Sequence, residues 1–345
     1  MNLPFLDAES LLAALPMPAA IDALEQALLA GLDPAVDPPR TVVGTEAGQV
    51  LVMPSAAGST VAVKLVSVAP GNSGRGLPLI QGVVVLFDPA TLTPVALIDG
   101  SALTALRTPA VSAVAVRHLA AARAHRLVVF GSGPQAEGHI TAIRAVRPID
   151  EVVLIGRDRA RTQAVAARVA APGLLVRIEL MTDTGPAVGV GPGVGVGPAA
   201  GAGPVSRGRD GTDAGWAEDV AQADVVVCAT SARSPLFEGR LIRDGCCVVA
   251  VGSHEPTARE VDAVLVHRSR VIVEETTAAL REAGDLVLAG VRPDQVLTLA
   301  EVVRHSSEVP SGPPDLRPTL VKTVGMAWED AVVAGAAITR WLAGG

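Results

Sequence analysis

Residues 126–136 read RLVVFGSGPQA, a short apolar run followed by a turn with glycines at 131 and 133. The run is compact and rich in Val and Leu, which predicts a buried strand. The segment Gly131-Ser132-Gly133-Pro134-Gln135-Ala136 then turns into a helix. In such a strand–turn–helix, Gly131 permits the tight turn and Gly133 lets the backbone approach a pyrophosphate. The helix N-terminus adds free N–H groups and a partial positive charge. Ala136 stands where a third glycine often sits, a permitted exchange. A plain βα turn would look the same, so the downstream elements decide between the two. Residues 151–155 form a second strand, 162–169 a helix, and 175–180, 224–229, 247–251 and 271–274 further strands, with helical stretches between them. Strands alternating with helices predict βαβ units and a parallel, Rossmann-like sheet. The second strand ends Ile155-Gly156-Arg157-Asp158-Arg159. Arginine at that tip suits a ribose 2′-phosphate, through paired charge-assisted hydrogen bonds, so NADPH is the expected cofactor; NADH becomes the choice if Asp158 rather than Arg157 reaches the ribose.

Before this domain the pattern differs. Residues 5–32 carry apolar positions at helical spacing, then β-like runs at 41–43, 49–53, 61–68 and 82–87 are separated by Gly, Pro, Asn and Ser clusters. These predict two helices and an antiparallel or mixed sheet. A long helix follows from Ser101, with Val111, Val114, Ala115 and Leu119 on one stripe. Residues 320–342 are helical in period and are expected to return to the first domain. The α/β chain therefore divides into a mixed α+β domain, 1–122 with 318–345, and a dinucleotide-binding domain, 123–317. Within the latter, residues 185–215 are Gly/Pro-rich and read as a flexible insertion.

Composition excludes several function classes. The 345 residues suffice for two or three domains. Only 2% are aromatic, none is Tyr, and the net charge is −7, so neither stacked bases nor phosphate backbones nor anionic lipid are expected partners. The three cysteines, Cys228, Cys246 and Cys247, make neither a disulfide framework nor a spaced metal site, and the histidines are scattered; no metal is expected. A reducing cytoplasm fits this cysteine usage, and the N-terminus lacks a signal-peptide pattern.

Three separated motifs, residues 61–120 (VAVKLVS…GSALTALRTPAVSAVAVRHLA), 128–140 (VVFGSGPQAEGHI) and 320–330 (LVKTVGMAWED), resemble the ornithine cyclodeaminase/mu-crystallin family. The resemblance runs over nearly the whole chain apart from the Gly/Pro insertion. It implies a homodimer whose first domain holds the subunit contact, and an enzyme acting on small α-amino or α-imino acids with a nicotinamide cofactor. By carry-over, Arg40 and Lys64 hold the substrate carboxylate, and Arg107 meets substrate or pyrophosphate. Pro134 and Gln135 lie on the pyrophosphate beside Gly131 and Gly133, Thr230 and Ser231 lie near the cofactor, and Thr323 and Val324 close over the nicotinamide. A guanidinium grips a carboxylate through two hydrogen bonds, and a buried Lys can exchange a proton once its pKa falls.

Departures from the family choose among its activities. Cyclodeaminases carry an Asp in a Gly-Asp-x-Pro segment, whereas this chain reads Gly252-Ser253-His254-Glu255-Pro256. Imidazole does not reproduce a carboxylate that binds ammonium, so ornithine cyclodeamination is disfavoured. The expected reaction is reduction of a cyclic ketimine carboxylate, Δ1-pyrroline-2-carboxylate to L-proline or Δ1-piperideine-2-carboxylate to L-pipecolate, placing the chain in proline metabolism. Lys64 or His254 would protonate the imine nitrogen. The alternatives are an alanine- or opine-type dehydrogenase, a true cyclodeaminase, and a non-catalytic crystallin-like NADP(H)-binding protein; the last has no need of a carboxylate clamp. Leu79, where Thr is common, and Pro109, expected to start or kink the helix after Arg107, also depart from the pattern.

Overall fold

The computed structural model describes residues 3–181, 205–207, 213–305 and 315–344. The chain forms two compact units, Met1–Val114 with Gly325–Gly345, and Ala115–Val324.

The first unit opens with β1 (Phe5–Leu6), α1 (Ala8–Ala14) and α2 (Met17–Leu29). Asp7 caps α1 by accepting from the Ser10 N–H, and Pro at the start of α2 presets the helical φ. Ala20, Ile21, Leu24 and Leu28 give α2 its buried stripe. The strands β2 (Thr41–Thr45), β3 (Gly48–Ala57), β4 (Thr60–Val68), β5 (Ile80–Phe87) and β6 (Pro94–Asp99) come next. They form a six-stranded sheet in the order β1-β6-β5-β4-β3-β2, antiparallel except for the β1–β6 pair. β6 escapes sequence reading because PVALID begins with a proline and is short; its edge is covered by β1. Asp99 caps α3 (Gly100–Leu119) by accepting from the Ser101 and Ala102 N–H groups. Of the two roles expected for Pro109, to start or to kink the helix, it does not take the first. The residue lies inside α3, leaving the chain helical from Gly100 to Leu119.

The second unit holds β7 (Arg126–Phe130), α4 (Pro134–Arg144), β8 (Glu151–Gly156), α5 (Arg159–Val169), β9 (Leu175–Leu180), β10 (Val205–Arg207), α6 (Asp213–Gln222), β11 (Val225–Cys228), β12 (Cys247–Ala250), α7 (Ala263–Arg268), β13 (Arg270–Val273), α8 (Thr276–Glu282), α9 (Gly284–Val287), β14 (Val296–Thr298), α10 (Leu299–His305) and β15 (Thr319–Lys322). Among the described residues its nine strands are all parallel, in the order β10-β9-β8-β7-β11-β12-β15-β13-β14. Runs such as VVVC and CVVA are wholly buried, as strands covered on both faces require. The order reverses at β7, with β8 on one side and β11 on the other, which makes the end of β7 the switch point where ligands bind in such sheets.

Two expectations change here. Residues 320–322, read as helix, are a central strand between β12 and β13, and the last helix, α11, begins only at Ala327 and runs to Gly344. Four residues, TLVK, are too few to carry a period; two strand neighbours decide the matter. Most of the 185–215 insertion lies outside the described residues, but Val205–Arg207 adds β10 to the sheet edge beside β9. Among the described residues no single helix is long and apolar enough to cross a membrane.

Candidate active site

In the first unit Lys64 sits midway along β4, opposite Met53 of β3 and Val84 of β5, and is 1% exposed. α11 packs over these three strands and brings Asp330, in its first turn, to 2.6 Å from Lys64 Nζ. From α3, Arg107 donates through Nε to Asp330 Oδ1 at 3.1 Å and through Nη1 to Glu329 Oε2 at 2.8 Å. Arg40, half-buried ahead of β2, donates through Nη2 to Gly325 O at 2.6 Å. Gly325 has φ +77°, and a Cβ there would lie 2.7 Å from Arg107 Nη1, so glycine is needed both for conformation and for room. Arg40, Lys64 and Arg107 thus gather around the start of α11. Asp37 borders the same group, accepting from Ser55 Oγ at 2.8 Å, and burial raises its pKa.

Burial pushes the Lys64 pKa down to about 8; Asp330 pulls it up and Arg107 pushes it down again. A lysine in that range is a usable acid near neutral pH, and its ammonium, like Arg107, is oriented by a carboxylate rather than solvated.

The second unit carries the phosphate turn. Gly131 has φ +127°, and a Cβ there would meet Ala229 O at 2.4 Å, so the turn is closed to other residues. Gly133 precedes α4 with φ −101° and has nothing within 4 Å of a built Cβ. No side chain caps α4, and the space beside Gly133 at its N-terminus is open. Pro134 occupies the first turn, Gln135 is half-buried beside it, and Ala136 is fully buried in the third-glycine position. These residues fit a pyrophosphate. Beyond β8, Arg157 is exposed, whereas Asp158 caps α5, accepting from the Arg161 N–H at 3.0 Å.

Thr230 and Ser231 follow β11, His254 is exposed on the loop after β12, and Thr323 and Val324 are buried just beyond β15. Val324 donates its N–H to Glu274 Oε2 at 2.7 Å. Because β7, β8, β11, β12 and β15 are parallel, all these candidates lie at one edge of the sheet. Thr230 Oγ1 accepts from the Ala232 N–H at 3.1 Å, a local turn with no helix after it.

Sequence reasoning assigns no part to Glu329, Asp330, Glu260, Lys322, Asp285 or Glu274, all of them buried. A signal was present for the first two: adjacent acids inside the otherwise uncharged stretch 323–339 are costly to bury unless paired. Among the described residues no group of three His, Cys, Asp or Glu side chains could hold a metal ion.

Comparison with known proteins agrees in extent and order. A Delta(1)-pyrroline-2-carboxylate/Delta(1)-piperideine-2-carboxylate reductase of Azospirillum brasilense is 33% identical over 332 residues, covering 95% of this chain and 93% of that one. The ketimine reductase mu-crystallin of Rattus norvegicus is 29% identical over 316 residues, covering 90% and 86%. The structure of Thermococcus litoralis Delta(1)-pyrroline-2-carboxylate reductase in complex with NADH and L-proline superposes with a TM-score of 0.80 at 26% identity, covering 99% and 98%. The family model matches residues 5–189 and 214–345, passing over most of the Gly/Pro-rich stretch. On this match the chain belongs to the ornithine cyclodeaminase/mu-crystallin family.

Proposed function

We propose that this protein is an NAD(P)H-dependent ketimine reductase, converting Δ1-pyrroline-2-carboxylate to L-proline and Δ1-piperideine-2-carboxylate to L-pipecolate. The carrying observation is the group of half-buried Arg40 with buried Lys64 and Arg107, in which Glu329 and Asp330 orient the two innermost cations. The pyrroline and piperideine carboxylate reductases named among the relatives support the same reaction class.

In this reading the first unit binds substrate and the second binds the dinucleotide. Arg40, Lys64 and Arg107 anchor the carboxylate, which fixes the adjacent imine carbon; positioning of this kind accounts for a large part of such catalysis. Bound reduced nicotinamide supplies a hydride to that carbon. The electron pair of the C=N bond then goes to nitrogen, which takes its proton from Lys64 or, failing that, from His254. The Lys64 pKa of about 8 leaves it protonated at neutral pH yet able to release the proton. Gly131, Gly133, Pro134 and Gln135 take the pyrophosphate on the α4 N-terminus, with Thr230, Ser231, Thr323 and Val324 along the same edge. NADPH is favoured over NADH because Asp158 is engaged in capping α5 while Arg157 stands exposed beside it.

A homodimer is part of the proposal. Val43 and Leu65, on β2 and β4, are exposed apolar residues on one face of the sheet, a surface suited to a second copy. The cytoplasm is the proposed location, since all three cysteines are buried thiols. The test monitors the loss of reduced-nicotinamide absorbance with each imine, NADPH against NADH, with ornithine plus NAD as a control. Rapid NADPH loss is expected. Silence with both imines despite bound cofactor refutes the reading, and ammonia release from ornithine would establish a cyclodeaminase instead.

A further inference from the structure

The carboxyl edge of the parallel sheet holds a second buried charge cluster that the proposed chemistry does not use. Glu260, Lys322 and Asp285 are each fully buried. Glu260 Oε1 accepts from the Thr230 N–H at 2.8 Å and from Thr230 Oγ1 at 2.7 Å, and Oε2 accepts from the Gly252 N–H at 2.7 Å. Thr230 follows β11 and Gly252 follows β12, so one carboxylate ties two neighbouring strand-end loops together. Lys322, the last residue of β15, donates to Ser253 O at 2.6 Å and Ala250 O at 3.2 Å and pairs with Asp285 Oδ2 at 3.2 Å. Asp285 Oδ1 accepts in turn from the Glu260 and Val261 N–H groups at 2.7 and 2.9 Å. Ser253 Oγ closes the segment on itself by donating to Ala258 O. A Cβ at Gly252 would lie 1.9 Å from Thr230 O, so the two loops meet at backbone distance.

Residues 252–261 are thereby held along their backbone from beneath, while His254, Glu255, Pro256 and Thr257 stay exposed. Apolar residues of the same volume would stabilise a core as well as a buried ionic cluster does, because each buried charge costs several kcal/mol in desolvation. Apolar residues could not hold these backbone N–H and C=O groups in one arrangement; that is what the cluster adds. The structure assigns Glu260 as the positioning residue that locks the His254 loop to the Thr230 loop, with Lys322 and Asp285 as its support. This rests on the proposed reductase reading, in which His254 is a candidate proton donor and Thr230 lies along the cofactor.

The test is a double-mutant cycle in NADPH oxidation with Δ1-pyrroline-2-carboxylate, using wild type, Glu260→Gln, His254→Asn and the double variant. Gln keeps the volume, but its NH2 must face either the Thr230 donors or the Gly252 N–H, and one tie is lost. Each single variant should lose about tenfold or more in kcat while KM for the imine moves by less than about threefold, and the double variant should be within about twofold of the worse single. Losses that multiply in the double variant, or a wild-type kcat in Glu260→Gln, overturn the assignment; a wild-type kcat in His254→Asn alone leaves protonation to Lys64, and amide hydrogen exchange then decides the role of Glu260. Should Glu260→Gln fail to fold, Glu260→Asp, which keeps the charge but withdraws it by a methylene, replaces it in the cycle. Amide hydrogen exchange on the substrate-free protein reads the same lock without turnover. Residues 230–232 and 252–258 should exchange roughly tenfold faster in Glu260→Gln with β7 to β9 unaffected, and unchanged exchange there overturns the assignment. If wild type reduces neither imine, the reductase reading alone has failed, and exchange still decides the role of Glu260.

Discussion

Raising the pH should switch the enzyme off through Lys64. Its pKa is lowered from the ordinary 10.5 to about 8 by burial, against the opposing pull of Asp330. The protonated form is the one that anchors a carboxylate and gives a proton, so activity is present below this pKa and is lost as pH rises through it. From about pH 7 to about pH 9.5 the ammonium fraction falls from about 0.9 to about 0.03, a loss of roughly thirtyfold; an ordinary lysine would lose only about a tenth over that span. The assay is kcat/KM for imine reduction across this range at saturating NADPH, with Lys64→Arg as the control. Arg keeps its charge throughout, so whatever activity that variant retains should show no basic limb near pH 8. Since the free imine also titrates, a limb that persists unchanged in Lys64→Arg belongs to the substrate and refutes the argument. A wild-type profile flat to pH 10 refutes it too.

Other outcomes rest on named geometry. Gly133→Ala should leave the urea midpoint nearly unchanged, since its Cβ meets nothing within 4 Å, yet weaken NADPH binding about tenfold or more in a fluorescence titration. Gly131→Ala, with φ +127° and Ala229 O at 2.4 Å, should lower stability itself by about 1–3 kcal/mol, visible in the same urea curve. Arg157→Ala should weaken NADPH by about 10- to 100-fold and NADH by less than about threefold, read as separate dissociation constants. Arg107→Lys keeps the charge but cannot fork between Glu329 and Asp330; leaving one carboxylate buried without its partner should cost about 3 kcal/mol, measured by chemical denaturation.

How far the chain could be read without its fold varies by element. Valine-rich strands spaced by helices, and glycines 131 and 133 between a strand and a proline, are local signals, so the parallel sheet and its phosphate turn were legible. Residues 320–322 were not, because a stretch as short as Leu-Val-Lys fits a helix or a strand equally, and only pairing with β12 and β13 makes it a strand. The same limit hid β6 and the strand character of residues 205–207. Pro109 was ambiguous: its local rule allows a start or a kink, and the fold places it inside α3, which runs from Gly100 to Leu119.

The residue types of the candidate site were set in the primary structure: Arg40, Lys64 and Arg107 by motif, and His254 by its departure from that motif. Their chemical state was not. A lone Lys or Arg in a sequence reads as a solvated charge, and Lys64 becomes a weaker base only because α11, more than 260 residues further on, covers β4 and buries it, against the opposing pull of Asp330 at 2.6 Å. Glu260, Lys322 and Asp285 likewise have no shared local pattern; separate strand ends and loops bring them together. Periodicity and turn chemistry act over a few residues, so sequence carries the elements. Burial and charge pairing depend on distances through space, and those are decided only when the elements pack.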